Sequence, residues 1–168
     1  MRIFFSRLLA AVALAGLMSA CGFQLRGADG SFNLPFNAIY LSFGETSALG
    51  TELRRNLRAG DKVQVVTDAA KADALFDVLS ETRGKTILSL NSQGRVREYM
   101  LTYTLVFRVR DNKGNELLPA TEISLRRPIT FTESQVLAKE SEEVLLYRDM
   151  QTDLVQQIMR RLAAIKPV

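Results

Sequence analysis

Residues 98–110 read Glu98-Tyr99-Met100-Leu101-Thr102-Tyr103-Thr104-Leu105-Val106-Phe107-Arg108-Val109-Arg110, the cleanest periodicity in the chain. Tyr99, Leu101, Tyr103, Leu105, Phe107 and Val109 alternate with Glu98, Thr102, Thr104, Arg108 and Arg110. A strand sends successive side chains to opposite faces, so this period of two predicts a half-buried strand well inside a sheet, its apolar face covered and its polar face open. Turn chemistry flanks it on both sides. Asn91-Ser92-Gln93-Gly94 precedes it and Asp111-Asn112-Lys113-Gly114 follows, each suited to a hairpin. Upstream, Ala74-Leu75-Phe76-Asp77-Val78-Leu79-Ser80 opens a long extended run reaching Leu90. Downstream, Thr121, Ile123 and Leu125 predict a further strand that ends where Pro128 removes a ladder donor.

Further out the period changes. Ala38-Ile39-Tyr40-Leu41-Ser42 predicts a first strand, broken at Gly44. From 46 to 59, Leu49, Leu53 and Leu57 recur every fourth residue, with Thr46 or Ser47 placed to cap the start and Gly60 just past the end. That is an amphipathic helix docked by its leucine stripe. Val63, Val65 and Val66 suggest a short strand after it, and residues 69–73 a small polar interruption. From about 135 to 164, Leu146, Met150, Leu154, Ile158 and Leu162 recur at a spacing of four, predicting a long helix that covers the sheet, with Met150 and Met159 as core packing. The order implies one α+β domain over residues 37–168: two helices packed on one face of a mostly antiparallel, mixed four-stranded sheet, a sandwich.

The amino-terminal end has a different character. Arg2 and Arg7 precede an apolar run from Leu8 to Leu17, the layout of a secretory signal and too short to span a bilayer as a helix. Ser19 and Ala20 stand immediately before Cys21, the one cysteine, and this arrangement resembles a bacterial lipobox. The expectation is that residues 1–20 are removed as a signal peptide and that the Cys21 thiol and new amino terminus are acylated, as with palmitate. Residues 21–36, which mix Gly, Asp, Ser, Asn and Pro35 without a clear period, are expected to form a tether. Two or more acyl chains anchor durably where one does not. The competing reading keeps Cys21 as a core cysteine or a free thiol, with cleavage elsewhere.

Composition narrows the chemistry. The chain has 168 residues, with 22 Lys+Arg, 18 Asp+Glu and no histidine or tryptophan. Without Arg2 and Arg7 the balance is 20 basic against 18 acidic, too even to point to nucleic acid. The commonest general base and nitrogen metal ligand are missing, and lipidation would consume the thiol. No metal site, phosphate loop or nucleophile elbow is expected, and no cofactor beyond the covalent lipid. A carboxylate pair such as Glu142 with Glu143, or Glu140 with Glu143, is the only route to a hydrolase, and these residues read as a solvated helical face. The sequence therefore argues against an enzyme.

Cys21-Gly22-Phe23-Gln24-Leu25-Arg26-Gly27 resembles the mature start of the LPS-assembly lipoprotein family LptE. Leu53-Arg54-Arg55-Asn56-Leu57, the segment from Gly94 to Glu98-Tyr99, and Val136-Leu137-Ala138-Lys139 fall where that family has its counterparts, covering most of the mature chain. The resemblance implies a protein that assembles with and plugs the lumen of the outer-membrane barrel LptD, and that helps deliver lipopolysaccharide to the outer leaflet. It places an LPS-interacting lysine at Lys139. The family's second basic residue, expected just before Gly94, is replaced by Ser92, and Arg95 and Arg97 are the nearby residues that would supply the charge. They are expected to project on one strand face with Tyr99. Gly22, not an acidic residue, follows Cys21, which in Gram-negative sorting implies the outer membrane. The alternative is a periplasm-facing lipoprotein subunit that binds lipid for an inner-membrane transporter.

Overall fold

In a computed structural model of the chain, residues 34–60 and 63–166 are described. The expected signal peptide, Cys21 and the expected tether up to residue 33 lie outside them. The elements run β1 (Ala38–Leu41), α1 (Ala48–Ala59), β2 (Gln64–Val66), β3 (Ala74–Leu90), β4 (Val96–Asp111), β5 (Glu116–Thr130) and α2 (Val136–Ala163), with single 3-10 turns at Ala69–Lys71 and Glu133–Gln135.

The alternating stretch occupies β4, hydrogen-bonded to β3 on one side and β5 on the other. Leu101, Tyr103, Leu105, Phe107 and Val109 are fully buried. Opposite them lie Leu49, Leu53 and Leu57 of α1, and Met150, Leu154, Val155, Ile158 and Leu162 of α2, so both helices share one face of the sheet. Phe43, Phe76 and Phe107 stack in a row, with ring centroids 5.5 and 4.6 Å apart. Leu34 and Phe36 already pack on this core ahead of β1. Ser47 caps α1, its Oγ accepting from the Gly50 amide at 3.0 Å.

The sheet has five strands, ordered β2-β1-β3-β4-β5, where the sequence reading expected four. The short strand suggested by Val63, Val65 and Val66 is β2; three residues long, it pairs in parallel with β1 at the sheet edge and brings the count to five. β1 also pairs in parallel with β3, and the remaining pairs are antiparallel, so the sheet is mixed as expected. The other departure is at Pro128. The strand expected to stop there continues to Thr130, with Pro128 opposite Met100. It is tolerated because β5 is an edge strand, where no further neighbour needs its missing N–H.

Both hairpins turn through glycines in the left-handed region, Gly94 at φ 77° and Gly114 at φ 93°, where a side chain would be strained. Between them the β3–β4 ladder is interrupted. It shifts register between Val78 and Ser80, between Ile87 and Ser89, and again between Ser89 and Leu90. Leu79 and Leu88 are the extra residues on β3 and Arg97 is the extra residue on β4. A bulge breaks the two-residue alternation, and both leucines are exposed.

Candidate functional site

The core ends part-way along the hairpin. Beyond Val78, which still faces Phe107 and packs on the core, β3 turns charged opposite the buried residues of β4: Glu81 faces Leu105, Arg83 faces Tyr103 and Lys85 faces Leu101. They meet the first half of α2 through polar contacts. The Tyr103 hydroxyl donates to Glu81 Oε1 at 2.7 Å, and Arg83 donates to the Tyr103 oxygen at 3.1 Å and to Gln151 Oε1 at 3.2 Å. The Arg83 guanidinium lies over the Tyr103 ring at 4.4 Å, and Tyr147 donates to the Gly84 carbonyl at 2.7 Å. Burial, opposed by Arg83 and assisted by Glu81, pushes the Tyr103 phenol up to about 12. It stays protonated as a donor and serves this seam as structure.

Past the seam a groove of about 200 Å³ opens between the hairpin and α2, lined by Lys85, Tyr99, Ile129, Phe131, Lys139 and Glu143 among others. Its floor is apolar: Tyr99 and Phe131 meet edge to face at 5.5 Å. Its walls carry two ammonium groups. Lys139, in the first turns of α2, has a side chain only 16% exposed; it donates to Thr130 Oγ1 at 2.9 Å and pairs with Glu142 at 2.8 Å. Lys85 reaches from β3 to Glu143 at 2.6 Å and sits 4.5 Å from the centre of the Tyr99 ring. The Glu143 hydrogen bond holds its pKa above the usual lysine value. Glu142 and Glu143, expected as a solvated helical face, are thus each paired to a lysine.

The other nominated cations lie apart from the groove lining. Arg95 precedes β4 at the hairpin tip and pairs with Glu133 at 2.9 Å, both side chains largely exposed. Arg97 occupies the β4 bulge, where its carbonyl accepts from the Phe131 amide at 2.8 Å. The expected common face of Arg95, Arg97 and Tyr99 is therefore interrupted. Lys85 is the residue that sequence reasoning missed. Its signal was present in the register, since a basic residue facing Leu101 marks the place where a charge points toward the helices.

Around the groove the surface stays apolar. Ile87, Leu88 and Leu90 on the hairpin are exposed, as are Leu137 (80%), Val144 (68%) and Leu145 on α2. Among the described residues no group of acidic or sulfur ligands could hold a metal ion, and no helix is long and apolar enough to cross a membrane.

Comparison with known proteins resolves the family. The model of the lipopolysaccharide-assembly family LptE matches residues 36–162, the whole span from the first core aromatic to the last buried leucine of α2. The chain belongs to the LptE family. A relative from Pectobacterium atrosepticum, described as LPS-assembly lipoprotein LptE, is 29% identical over 161 residues, covering 92% of this chain and 83% of that protein. The solution structure of a lipoprotein B from Nitrosomonas europaea superposes with a TM-score of 0.72 at 40% identity, covering 85% of this chain and 91% of that one. Rare lipoprotein B from Shewanella oneidensis superposes with a TM-score of 0.67 at 26% identity, covering 76% and 95%. LptE proteins serve LPS assembly without enzymatic turnover, so the carboxylates of α2 have no hydrolytic role to fill.

Proposed function

We propose that this LptE protein is an outer-membrane lipoprotein, anchored through lipid on Cys21, that assembles with and plugs the LptD barrel and binds lipopolysaccharide on its way to the outer leaflet. The observation that carries the reading is the family match across residues 36–162. The groove supports it: lipid A phosphates are anionic, and Lys139 offers a largely shielded ammonium where charge-assisted bonds are strongest. Arg95 and Arg97 supply further positive charge at the hairpin tip.

The apolar surface around the groove supports the barrel. Leucines and valines exposed on a hairpin end and on the first half of a helix call for cover, and a barrel wall would provide it. Affinity purification of the tagged full chain from detergent extracts, with a large barrel protein expected alongside, tests this. Recovery of the lipoprotein alone at every salt concentration would overturn the plug, and recovery in the inner-membrane fraction of a density gradient would overturn the placement. Cys21→Ala is expected to abolish palmitate labelling; labelling that persisted would overturn the anchor.

A further inference from the structure

The groove holds two ammonium groups, Lys139 and Lys85, and the LptE resemblance accounts for the first alone. We infer that Lys85 is the second cation of the phosphate site, and that a phosphoryl group entering the groove takes the Lys85 ammonium from Glu143. The inference rests on the LPS-binding reading of Lys139 and deepens it.

Lys85 and Lys139 line one cleft, on β3 and α2 respectively, so a single headgroup can meet both, whereas Arg95 is turned to Glu133 outside the lining. The Lys85 side chain is 37% exposed, leaving its ammonium open to a ligand. The ammonium has three donors and Glu143 engages one of them. A phosphomonoester carries about −1.5 to −2 charge near neutral pH against −1 for a carboxylate, so it competes well for the same lysine. Glu143 holds the Lys85 ammonium over the Tyr99 ring and becomes the competitor when a phosphate arrives. The Tyr99–Phe131 floor suits the apolar portion of an amphiphile that carries such a headgroup.

The two ends of the pair therefore act in opposite directions. With the full chain in detergent and purified deep-rough LPS as the probe, Lys85→Gln is expected to weaken binding about fivefold, a charge-assisted contact reduced by the partial exposure of the side chain, while Glu143→Gln tightens it about twofold by freeing the lysine. Lys85→Arg should retain most of the affinity. The Lys85→Gln effect should vanish with dephosphorylated LPS. If Lys85→Gln and Glu143→Gln both weaken binding to the same degree, the pair is a strut between β3 and α2 and the inference fails. If Lys139→Ala weakens binding while Lys85→Gln leaves it unchanged, the inference fails and the reading of Lys139 stands. If none of these variants alters binding, both fail. Thermal melting of each variant runs alongside, and Glu143→Gln, which keeps Lys85, remains decisive should Lys85→Gln unfold.

Discussion

The two ends of this domain share β3, β4 and α2 and differ in what those elements bury. At the end with α1, β1 and β2, the helix-facing side of the sheet is a continuous apolar core, with Phe76, Phe107 and Leu154 at zero exposure. At the hairpin end, β3, β4 and α2 continue for several turns and pairs, yet β3 and α2 place Glu81, Arg83, Lys85, Glu143 and Lys139 between them, and Leu79, Leu88, Leu90, Leu137 and Leu145 are exposed. One end holds the fold together. The other is a rigid extension of it, suited to contacts with something else. β3 shows the change within a single strand: its first three residues are buried and the rest are not.

The largest expected effect comes from truncating the core end. Phe107→Ala or Leu154→Ala should each cost about 3 to 5 kcal/mol in chemical denaturation, while Leu137→Ala and Val144→Ala at the far end should fall within about 0.5 kcal/mol and instead reduce barrel co-purification. Equal losses of stability at the two ends would erase the contrast. Next come the charges of the hairpin end. Arg95→Glu with Arg97→Glu is expected to weaken LPS binding at least tenfold, on the order of one charge-assisted contact, with Lys139→Glu adding to it and the fold intact. Binding at two ionic strengths checks this, since the exposed arginines should lose their effect in salt first; an affinity untouched by the triple reversal would move the LPS site elsewhere.

A smaller effect probes how tightly α1 seats. A Cβ added at Gly50 would lie 2.5 Å from the Phe43 Cβ and 2.6 Å from its Cγ. Alanine gains about 1 kcal/mol of helix propensity, and overpacking costs about 1 to 3. The clash should win, so Gly50→Ala is expected to lower the melting temperature; a rise would mean that Phe43 moves aside without loss. The smallest effect lies on the open face of the sheet. Burial raises the Asp77 pKa, but hydrogen bonds from Arg110 and Arg108, at 2.7 and 3.1 Å, outweigh it and hold the carboxyl below its usual value. A lowered folded-state pKa gives stability that is complete above the unfolded value of 3.8 and is lost as pH falls through the folded one. Asp77→Asn should flatten the acid limb of the stability profile below about pH 4 and leave its neutral shape unchanged. An acid limb identical to that of the parent would remove Asp77 from the acid response.

Periodicity made the core end legible. The alternation on β4 and the four-residue stripes of α1 and α2 each match a buried face, and Met150 and Met159 sit in the core as expected. β2 was legible as a short strand at Val63, Val65 and Val66, but three residues show no period that would place it in the sheet, and β5 beyond Pro128 escaped because an edge strand suspends the rule against proline. The groove was half legible. Lys139 came from resemblance to the family, while Lys85 stayed hidden because its position depends on the β3–β4 register, which the bulges shift. Those same bulges part Arg95 and Arg97 from the Tyr99 face.

The bulges have one more consequence. Leu88 adds a residue to β3 and Arg97 adds one to β4, so Ile87 with Tyr99 and Leu90 with Val96 stand in the same pairing frame. The two insertions compensate, as a plus and a minus restore a reading frame. Losing either one alone would slide the tip by a residue and pull Gly94 from the left-handed position that the turn requires, whereas losing both would shorten the hairpin and leave its turn where it was.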